Sequence, residues 1–349
     1  MSEAAPLPSY GVEVGDVVRD RETVLAIWRG NLGDPARIEA KYDWFYRDCP
    51  YGEPLLCVLR DRASGAAVGV AAAGPRRMQA GGRALRAGVL VDMAVLPAHR
   101  SLGPALVLQQ GLMEAASTRF DLVYGFPNPK AAPVFKRVGY TQLGEMVRHA
   151  RVLRHARYLE RRVPRAVAQL AGPVVDLGVA CEDAWRRRGD ARIATRWVDR
   201  AGDEMTTLWA SAQAPAAALA VRDRDLLGWR FDRAPLPPTR YLELRERAGG
   251  ALRAWFACQV EGDMLHVADC WSADAANGVG RDAIDALLES ARYDGHAAVS
   301  VQLAGAASTL AGWQDAGFRA RGRRPVYGRW FGTATPVPDL RLTAVDEDE

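Results

Sequence analysis

The feature that most constrains the fold of this chain is an approximate internal repeat. Trp44 lies in the stretch WFYRDCP, which matches WRFDRAP around Trp229, 185 positions later. Further along, Asp92 in LVDMAV matches Asp269 in VADCWS at a spacing of 177. A shorter hairpin loop in the second copy accounts for the difference, because loops absorb changes in length. Several matches in the same order predict a duplicated unit, and two unrelated α/β halves with similar turns are the alternative.

The repeat sets the expected domain boundaries. At 349 residues the chain is long enough for about two domains of the usual size. We predict an N-terminal α/β domain over residues 11–150 and a second copy over residues 192–332. The remaining segments are predicted to be a disordered N-terminus (1–10), a basic helical linker (151–191) and an acidic flexible tail (333–349).

Composition narrows the classes of function. Hydrophobic residues make up 49% of the chain and charged residues 25%, as in an ordinary soluble globular protein. A formal net charge of +4 gives no reason to expect nucleic acid as a partner. The five histidines and five cysteines show no metal-ligand spacing, so we expect no metal site. The odd number of cysteines and the lack of a signal-peptide pattern favour a reducing, cytoplasmic location.

The region between the two copies is rich in arginine. Arginine recurs every three or four residues from Arg148 to Arg165. This spacing predicts a helix with a solvated basic face. Contact of this basic linker with an anionic membrane surface is the alternative interpretation. The least polar stretch, residues 166–180, is too short and too interrupted to span a bilayer.

The stretch VDMAVLPAHRSLGPALVLQQ, residues 91–110, combines the features of an anion site. Apolar and β-branched residues predict a strand that ends at Pro97, and apolar residues at helical spacing predict a helix from near Gly103. The first N–H groups of a helix lack internal partners and lie at the positive end of its dipole, so they bind phosphate well. Arg100 adds guanidinium donors. A purely structural strand–loop–helix joint would carry similar residues.

Two motifs in this region resemble those of a known family. The pattern V-x-P-x-x-R-x-x-G-x-A resembles motif A of the GCN5-related N-acetyltransferase (GNAT) superfamily. Downstream, NPKAAPVFKRVGY over residues 128–140 resembles motif B, and the spacing leaves room for one helix and one strand. The resemblance covers residues 10–150 well and residues 192–332 weakly, which indicates a tandem member with a degenerate C-terminal copy. The motif A residues are Val95, Pro97, Arg100, Gly103 and Ala105.

The resemblance implies a fold and a co-substrate. Each copy is expected to be a mixed, splayed, mostly antiparallel sheet flanked by helices, and an acyl-CoA, above all acetyl-CoA, is expected to lie between the fourth and fifth strands. An acceptor amine would attack the thioester directly, without a metal. Asn128 would bond pantetheine amides, cap the next helix, or do both. The other residues implied in donor binding are Met93, Ala94 and Val95 for pantetheine, and Arg100, Ser101, Leu102, Gly103, Pro104 and Ala105 for the pyrophosphate.

The sequence departs from the family pattern at two positions. Pro104 has no N–H, so the pyrophosphate loop lacks one donor and we expect weaker CoA binding. Phe135 stands where the family often has a tyrosine that protonates the leaving thiolate. Tyr124, Tyr140 or a water could replace that acid, or the thiolate could leave unaided.

Asp92 is the candidate general base. It lies on the strand that leads into motif A, near the expected position of the acceptor amine, and could take its proton directly or through water. A structural aspartate at the sheet opening is the alternative. The second copy is predicted to be inactive, because the positions of Arg100 and Ala105 are taken there by Asn277 and Asp282, and the Asp282 carboxylate would repel a pyrophosphate.

These observations predict an acyl-CoA-dependent N-acyltransferase with its donor in the first copy. Acetyl is the expected acyl group, and the expected acceptor is an amine of a small molecule or an amino sugar. A non-catalytic acyl-CoA sensor or scaffold is one alternative, which Pro104 and Phe135 favour. A Fem-type aminoacyl transferase, which also has two such domains, is another, although the first copy retains motif A. The sequence leaves the oligomeric state open.

Overall fold

A computed structural model of the chain describes residues 9–32, 34–155, 178, 193–213, 215–235, 237–274, 278–332 and 338–347. The strands and helices of these residues repeat in nearly the same order in the two halves of the chain. The first half contains β1 (Tyr10–Val14), α1 (Arg21–Trp28), α2 (Ile38–Tyr42), β2 (Leu55–Asp61), β3 (Ala67–Ala80), β4 (Arg83–Val95), α3 (Leu102–Arg119), β5 (Leu122–Gly125), α4 (Ala132–Val138) and β6 (Thr141–Val152).

The second half repeats this order with one short strand added early and one added at its end. It contains β7 (Ile193–Val198), α5 (Asp203–Ser211), β8 (Leu219–Ala220), α6 (Arg224–Leu227), β9 (Thr239–Glu246), β10 (Leu252–Glu261), β11 (Met264–Ser272), α7 (Arg281–Tyr293), β12 (Ala298–Ala304), α8 (Ala307–Asp315), β13 (Arg319–Trp330) and β14 (Leu342–Thr343).

In each half a mostly antiparallel sheet opens beside a parallel pair of strands. β4 pairs with β5 only from Ala87 to Val89, although β4 runs on to Val95. β11 pairs with β12 from Met264 to Val267 and likewise runs on, to Ser272, without that partner. The predicted fold class, mixed splayed sheets flanked by helices, is therefore confirmed.

The last strands of the two halves are exchanged. β13 pairs with β5 of the first half, β6 pairs with β12 of the second half, and β6 and β13 pair with each other. One sheet therefore runs through the molecule in the order β1-β2-β3-β4-β5-β13-β6-β12-β11-β10-β9-β7. Boundaries drawn near residues 150 and 192 separate the repeats in sequence, but each half completes its sheet with a strand from the other.

Two tryptophans show that the halves are related by approximate two-fold symmetry. α2 and α6 each continue into a π-helical turn, Asp43–Arg47 and Gly228–Asp232. The indole Nε1 of Trp44 donates to the carbonyl of Trp229 at 2.8 Å, and the reverse bond is 2.9 Å. The two rings stack with centroids 5.1 Å apart. Reciprocal contacts of this kind are expected where one surface meets a copy of itself.

The core has three parts, and they position the opening in the sheet. A large cluster shared by both halves contains α1, α2 and the two tryptophans. On the opposite face of the first half, α3 packs Leu108, Leu112 and Ala116 against the sheet. The second half has its own cluster beneath α7 and α8. The opening beside β4 therefore lies between the helices α3 and α4 on one face and the shared core on the other.

The C-terminal residues differ from the prediction of a flexible acidic tail. Leu340, Leu342 and Val345 are buried, and β14 pairs with β12. The acidic composition was misleading because Asp346 is itself buried, with its carboxylate 2.8 Å from the guanidinium of Arg222. Residues 333–337, 348–349, the first eight residues and nearly all of the predicted linker lie outside the described residues. Within the part that the structure describes, no helix is long and apolar enough to cross a membrane.

Candidate functional site

The separation of β4 from β5 leaves a cleft of about 770 Å³ in the first half. Its walls are the end of β4, the start of α3 and the connection from β5 to α4, and Asn31 and Leu32 of the loop after α1 form one edge. The cleft brings the two motifs together. Among the residues predicted to bind the donor, those that line it are Met93, Val95, Arg100, Ser101, Leu102, Ala105 and Asn128.

The start of α3 has the geometry expected of an anion site. Ser101 is the N-cap, so the helix begins at Leu102, one residue before the predicted start. The N–H groups of Leu102 and Gly103 thus lie in the first turn, where they have no acceptor within the helix. A Cβ atom on Gly103 would meet nothing within 4 Å, so a ligand can approach the backbone closely there.

Pro104 and Ala94 line the core instead of the cleft. Pro104 is the third residue of α3 and is buried. Its missing N–H costs the helix no internal bond at this position, and its fixed φ suits the first turn. Ala94 is buried and pairs with Val70 across β3 and β4. Neither side chain can contact a bound donor. The backbone N–H and C=O groups of β4 can still form hydrogen bonds with it.

Arg100 connects the motif A loop to the other edge of the cleft. Its Nε donates to the carbonyl of Val95 at 3.1 Å, and a terminal guanidinium nitrogen donates to Oδ1 of Asn31. The side chain is otherwise exposed at the rim. It is therefore placed where its remaining donors can reach an anion on the start of α3.

Asp92 lies at the mouth of the opening in an unusual backbone conformation. The register of β3 against β4 shifts between Val70 and Ala72, and Asp92 in this bulge has a φ of 55°. Aspartate tolerates the left-handed region better than most residues, but a conformation of this kind is held by its surroundings. A bulge changes the direction of the side chain that it carries, and Asp92 is among the residues that line the cleft.

Two residues that the sequence analysis missed hold the Asp92 carboxylate. The ammonium of Lys41 lies 2.8 Å from Oδ1, and the hydroxyl of Tyr46 donates to Oδ2 at 3.0 Å. The Asp92 side chain is only 3% exposed. Lys41 and Tyr46 are five residues apart, and the π-helical turn after α2 is what brings them to one side. In the sequence, these two residues are marked by no more than the run KYDWFY, which contains the repeat tryptophan Trp44.

The hydroxyl of Tyr124 does not line the cleft. Tyr124 is fully buried on the shared-core face of β5, and its hydroxyl donates to the carbonyl of Asp346 at 3.0 Å. Burial raises the pKa of this phenol above its usual range. The hydroxyl is bonded to the C-terminal residues. The assignment of Tyr124 as an acid stays a prediction.

The motif B side of the cleft is apolar where the family often has an acid. Phe135 lines the cleft and packs on Tyr140 with ring centroids 4.9 Å apart. The Tyr140 hydroxyl lies behind it and donates to Gln109 at 3.3 Å, and burial raises its pKa. Asn128 accepts from the backbone N–H groups of Lys130 and Ala131, both at 3.0 Å. These bonds form a turn ahead of α4, whose N-cap is Ala131, and use the carbonyl end of the Asn128 side chain.

Comparison with known proteins establishes the fold. No family model and no curated protein sequence matches the chain. A probable N-acyltransferase of Enterococcus faecalis V583 superimposes with a TM-score of 0.65 at 11% identity, over 92% of this chain and 72% of that one. A GCN5-related N-acetyltransferase of Anabaena variabilis gives 0.61 at 12% identity over the same shares. The chain has the fold of the GCN5-related N-acetyltransferases. The resemblance read from the motifs is confirmed at the level of the GNAT fold.

A GNAT-fold enzyme with a bound acyl-CoA is also similar. N-myristoyltransferase of Saccharomyces cerevisiae, with myristoyl-CoA bound, superimposes with a TM-score of 0.52 at 11% identity, over 99% of this chain and 85% of that one. At these identities the likeness concerns the fold. No group of three or more histidine, cysteine, aspartate or glutamate residues within the described ranges is arranged to hold a metal ion.

The second GNAT-like half has a cleft at the same place, but it is filled. Only about 10 Å³ remains between β11 and β12. Cys270, Val279 and Trp313 line this space at positions that correspond to Met93, Leu102 and Phe135. Thr343 of β14 lies there as well. Asp282 falls in the first turn of α7, as predicted, and Asn277 lies outside the described residues.

Proposed function

We propose that the chain is an acyl-CoA-dependent N-acyltransferase that binds its donor in the cleft of the first half. The observation that carries this proposal is the opening of about 770 Å³ between the separating parallel strands, bordered by the start of α3. The N–H groups of Leu102 and Gly103 and the guanidinium of Arg100 bind the pyrophosphate. Pantetheine lies along β4 beyond Val89, where β5 no longer takes its hydrogen bonds.

The acyl group moves by direct attack of an amine on the thioester. The backbone N–H groups of β4 at Met93 to Val95 lie beside the cleft and stabilise the negative charge that develops on the carbonyl oxygen. Asp92 takes the proton of the amine, either directly or through a water molecule. The bonds from Lys41 and Tyr46 fix the carboxylate in place for this role.

Departure of the CoA thiolate needs no side-chain acid in this proposal. Phe135 cannot donate a proton, and the hydroxyls of Tyr124 and Tyr140 are already donated to a carbonyl and to Gln109. A thiol is acidic enough for its anion to leave unaided near neutral pH. We propose acetyl as the acyl group and an amine of a small molecule or an amino sugar as the acceptor.

A non-catalytic acyl-CoA sensor is the second candidate. It is favoured by Phe135 at the position of the missing acid and by Pro104 in the pyrophosphate loop. A sensor binds acetyl-CoA in the same cleft but turns over no amine. Binding and turnover therefore have to be measured separately.

The first test is calorimetric titration of acetyl-CoA into the wild type and a Gly103→Glu variant. The position has open space around it, so the new carboxylate repels the pyrophosphate without disturbing the fold. We expect wild-type binding and at least about tenfold weaker binding in the variant.

Gly202→Glu is the matched control. Gly202 is the N-cap of α5 in the other half, and a Cβ atom there would also meet nothing within 4 Å. Its affinity should stay within about twofold of the wild type. No binding by the wild type would refute the proposed function. Binding without turnover across a broad amine panel would replace the enzyme with the sensor.

A further inference from the structure

The chain's own C-terminal residues occupy the cleft of the second half. We call residues 340–347 the C-terminal segment. Its strand β14 pairs with β12 at Leu303 and Ala304, just beyond the last parallel pair of β11 and β12. The hydroxyl of Thr343 donates to Asp269 of β11 at 2.8 Å. The segment therefore lies between the two separated strands, at the place where the first half is open.

A buried arginine anchors this segment. The guanidinium of Arg222 lies 2.8 Å from the carboxylate of Asp346 and 3.3 Å from that of Asp269. Arg222 also donates to the hydroxyl of Thr343 at 3.3 Å. All three charged side chains are at most 2% exposed. Buried charges of this kind are tolerated only when each has its partner, so the cluster allows little freedom to the segment.

The far side of the segment contacts the first half. The carbonyl of Asp346 accepts from the hydroxyl of Tyr124 in β5, and the carbonyl of Glu347 accepts from Arg76 of β3 at 3.4 Å. The Glu347 carboxylate pairs with Arg324 at 2.5 Å.

Arg324 connects the C-terminal segment to the open cleft. Its guanidinium stacks over the ring of Phe126 at 5.6 Å. Phe126 directly follows β5 and lines the open cleft. A continuous set of contacts therefore runs from Arg222 in the second half, through the C-terminal segment, to the β5 wall of the first-half cleft.

We propose that Arg222 is a positioning residue for the reaction of the first half. It holds the C-terminal segment in the filled cleft of the second half, and the segment in turn sets the position of β5 and Phe126 at the open cleft. The segment contacts β5 from the shared-core face, opposite α3 and the start of the pyrophosphate site. The cleft wall formed by β5 and Phe126 therefore depends on Arg222, and the pyrophosphate site at the start of α3 does not. The kinetic part of this proposal rests on the proposed function.

The test compares full-length Arg222→Lys and Asp346→Asn with the wild type. Lysine keeps the charge but not the planar fork, and asparagine keeps the shape of Asp346 without its charge. Amide hydrogen exchange should rise in the C-terminal segment and also in residues 122–126. The Kd of acetyl-CoA should stay within about twofold, whereas kcat/KM for the acceptor should fall about tenfold.

Asp285→Asn is the matched control. Asp285 is a buried carboxylate of the second half paired with Arg281 at 3.2 Å, on α7 and away from the segment. It should leave exchange in residues 122–126 and the acceptor kinetics unchanged. Glu347→Gln, which removes the charge that pairs with Arg324, should give a smaller loss of about threefold.

Faster exchange confined to the segment, with residues 122–126 unchanged, would overturn the proposal. So would an equal kinetic loss in Asp285→Asn. If the wild type turned over no acceptor, the proposed function would fail, and exchange in residues 122–126 would still decide whether Arg222 positions β5.

Discussion

The two halves of this protein repeat the same elements, yet one cleft is open to about 770 Å³ and the other is reduced to about 10 Å³. The strands separate at the same point in both. What differs is the occupant, because the second opening holds β14 and the large side chain of Trp313. The GNAT fold thus provides an opening in its sheet, and its lining decides whether that opening becomes a binding site or part of the core.

The matched aspartates show the same contrast. Asp92 lines the open cleft and is held by Lys41 and Tyr46. Asp269 is fully buried and is held by Arg222 and Thr343. Asp92 belongs to the lining of the open cleft, whereas Asp269 belongs to an internal cluster.

Asp92→Asn should lower kcat/KM for the acceptor by at least about a hundredfold, because an amide cannot take the proton of the amine. Steady-state kinetics with saturating acetyl-CoA measure this loss, and acetyl-CoA affinity should be nearly unchanged. Asp269→Asn is the matched variant in the filled cleft, and because Asp269 belongs to the Arg222 cluster it should lose no more than the roughly tenfold expected of Arg222→Lys. Equal losses in the two variants would mean that Asp92 is structural, as Asp269 is.

Leu342→Ala should lower the free energy of unfolding by about 3 kcal/mol, because Leu342 is fully buried and its loss leaves a cavity. Urea denaturation measures the change. Leu102→Ala is the control in the open cleft, where Leu102 is 40% exposed. It should cost less than about 0.5 kcal/mol. Similar costs at the two positions would contradict the view that one cleft is core and the other is a site.

Asp269 should also leave a signature in the pH dependence of stability. Burial raises the pKa of its carboxyl above the usual range. The folded protein then holds this proton more tightly than the unfolded chain does. The stabilisation is therefore fully present below the unfolded pKa of about 4 and is lost as the pH rises through the folded pKa. Asp269→Asn should remove this decline in urea midpoints measured upward from about pH 4.

Asp121 is the control with the opposite sign. Its hydrogen bond from Arg86 lowers the pKa of its carboxyl, so its stabilisation is present above the unfolded pKa and is lost as the pH falls. Asp121→Asn should therefore remove a loss of stability that occurs as the pH falls. Asp269→Asn should remove a loss that occurs as the pH rises. The same slope in both variants would contradict the raised pKa of Asp269.

Much of the first-half site could be predicted because it is local. Motif A covers eleven residues from Val95 to Ala105, and turn, glycine and helix start follow from residues close in sequence. The residues that hold Asp92 could not be found in this way, since Lys41 is 51 positions away and Tyr46 lies in a π-helical turn. The buried role of Pro104 likewise depends on the packing around α3.

The internal repeat, the strand and helix around motif A, and the helix start at which we propose that an anion binds could all be predicted from residues close together in the sequence. These features depend on hydrophobic periodicity and on the conformational limits of proline and glycine, which act over a few residues. Two features could be found only in the tertiary structure. One is the strand that completes each half, and the other is the position of the acidic C-terminus in the second cleft. Both outcomes depend on partners far apart in the chain: β13 could pair with either half, and Asp346 is buried only because Arg222 is there to receive it.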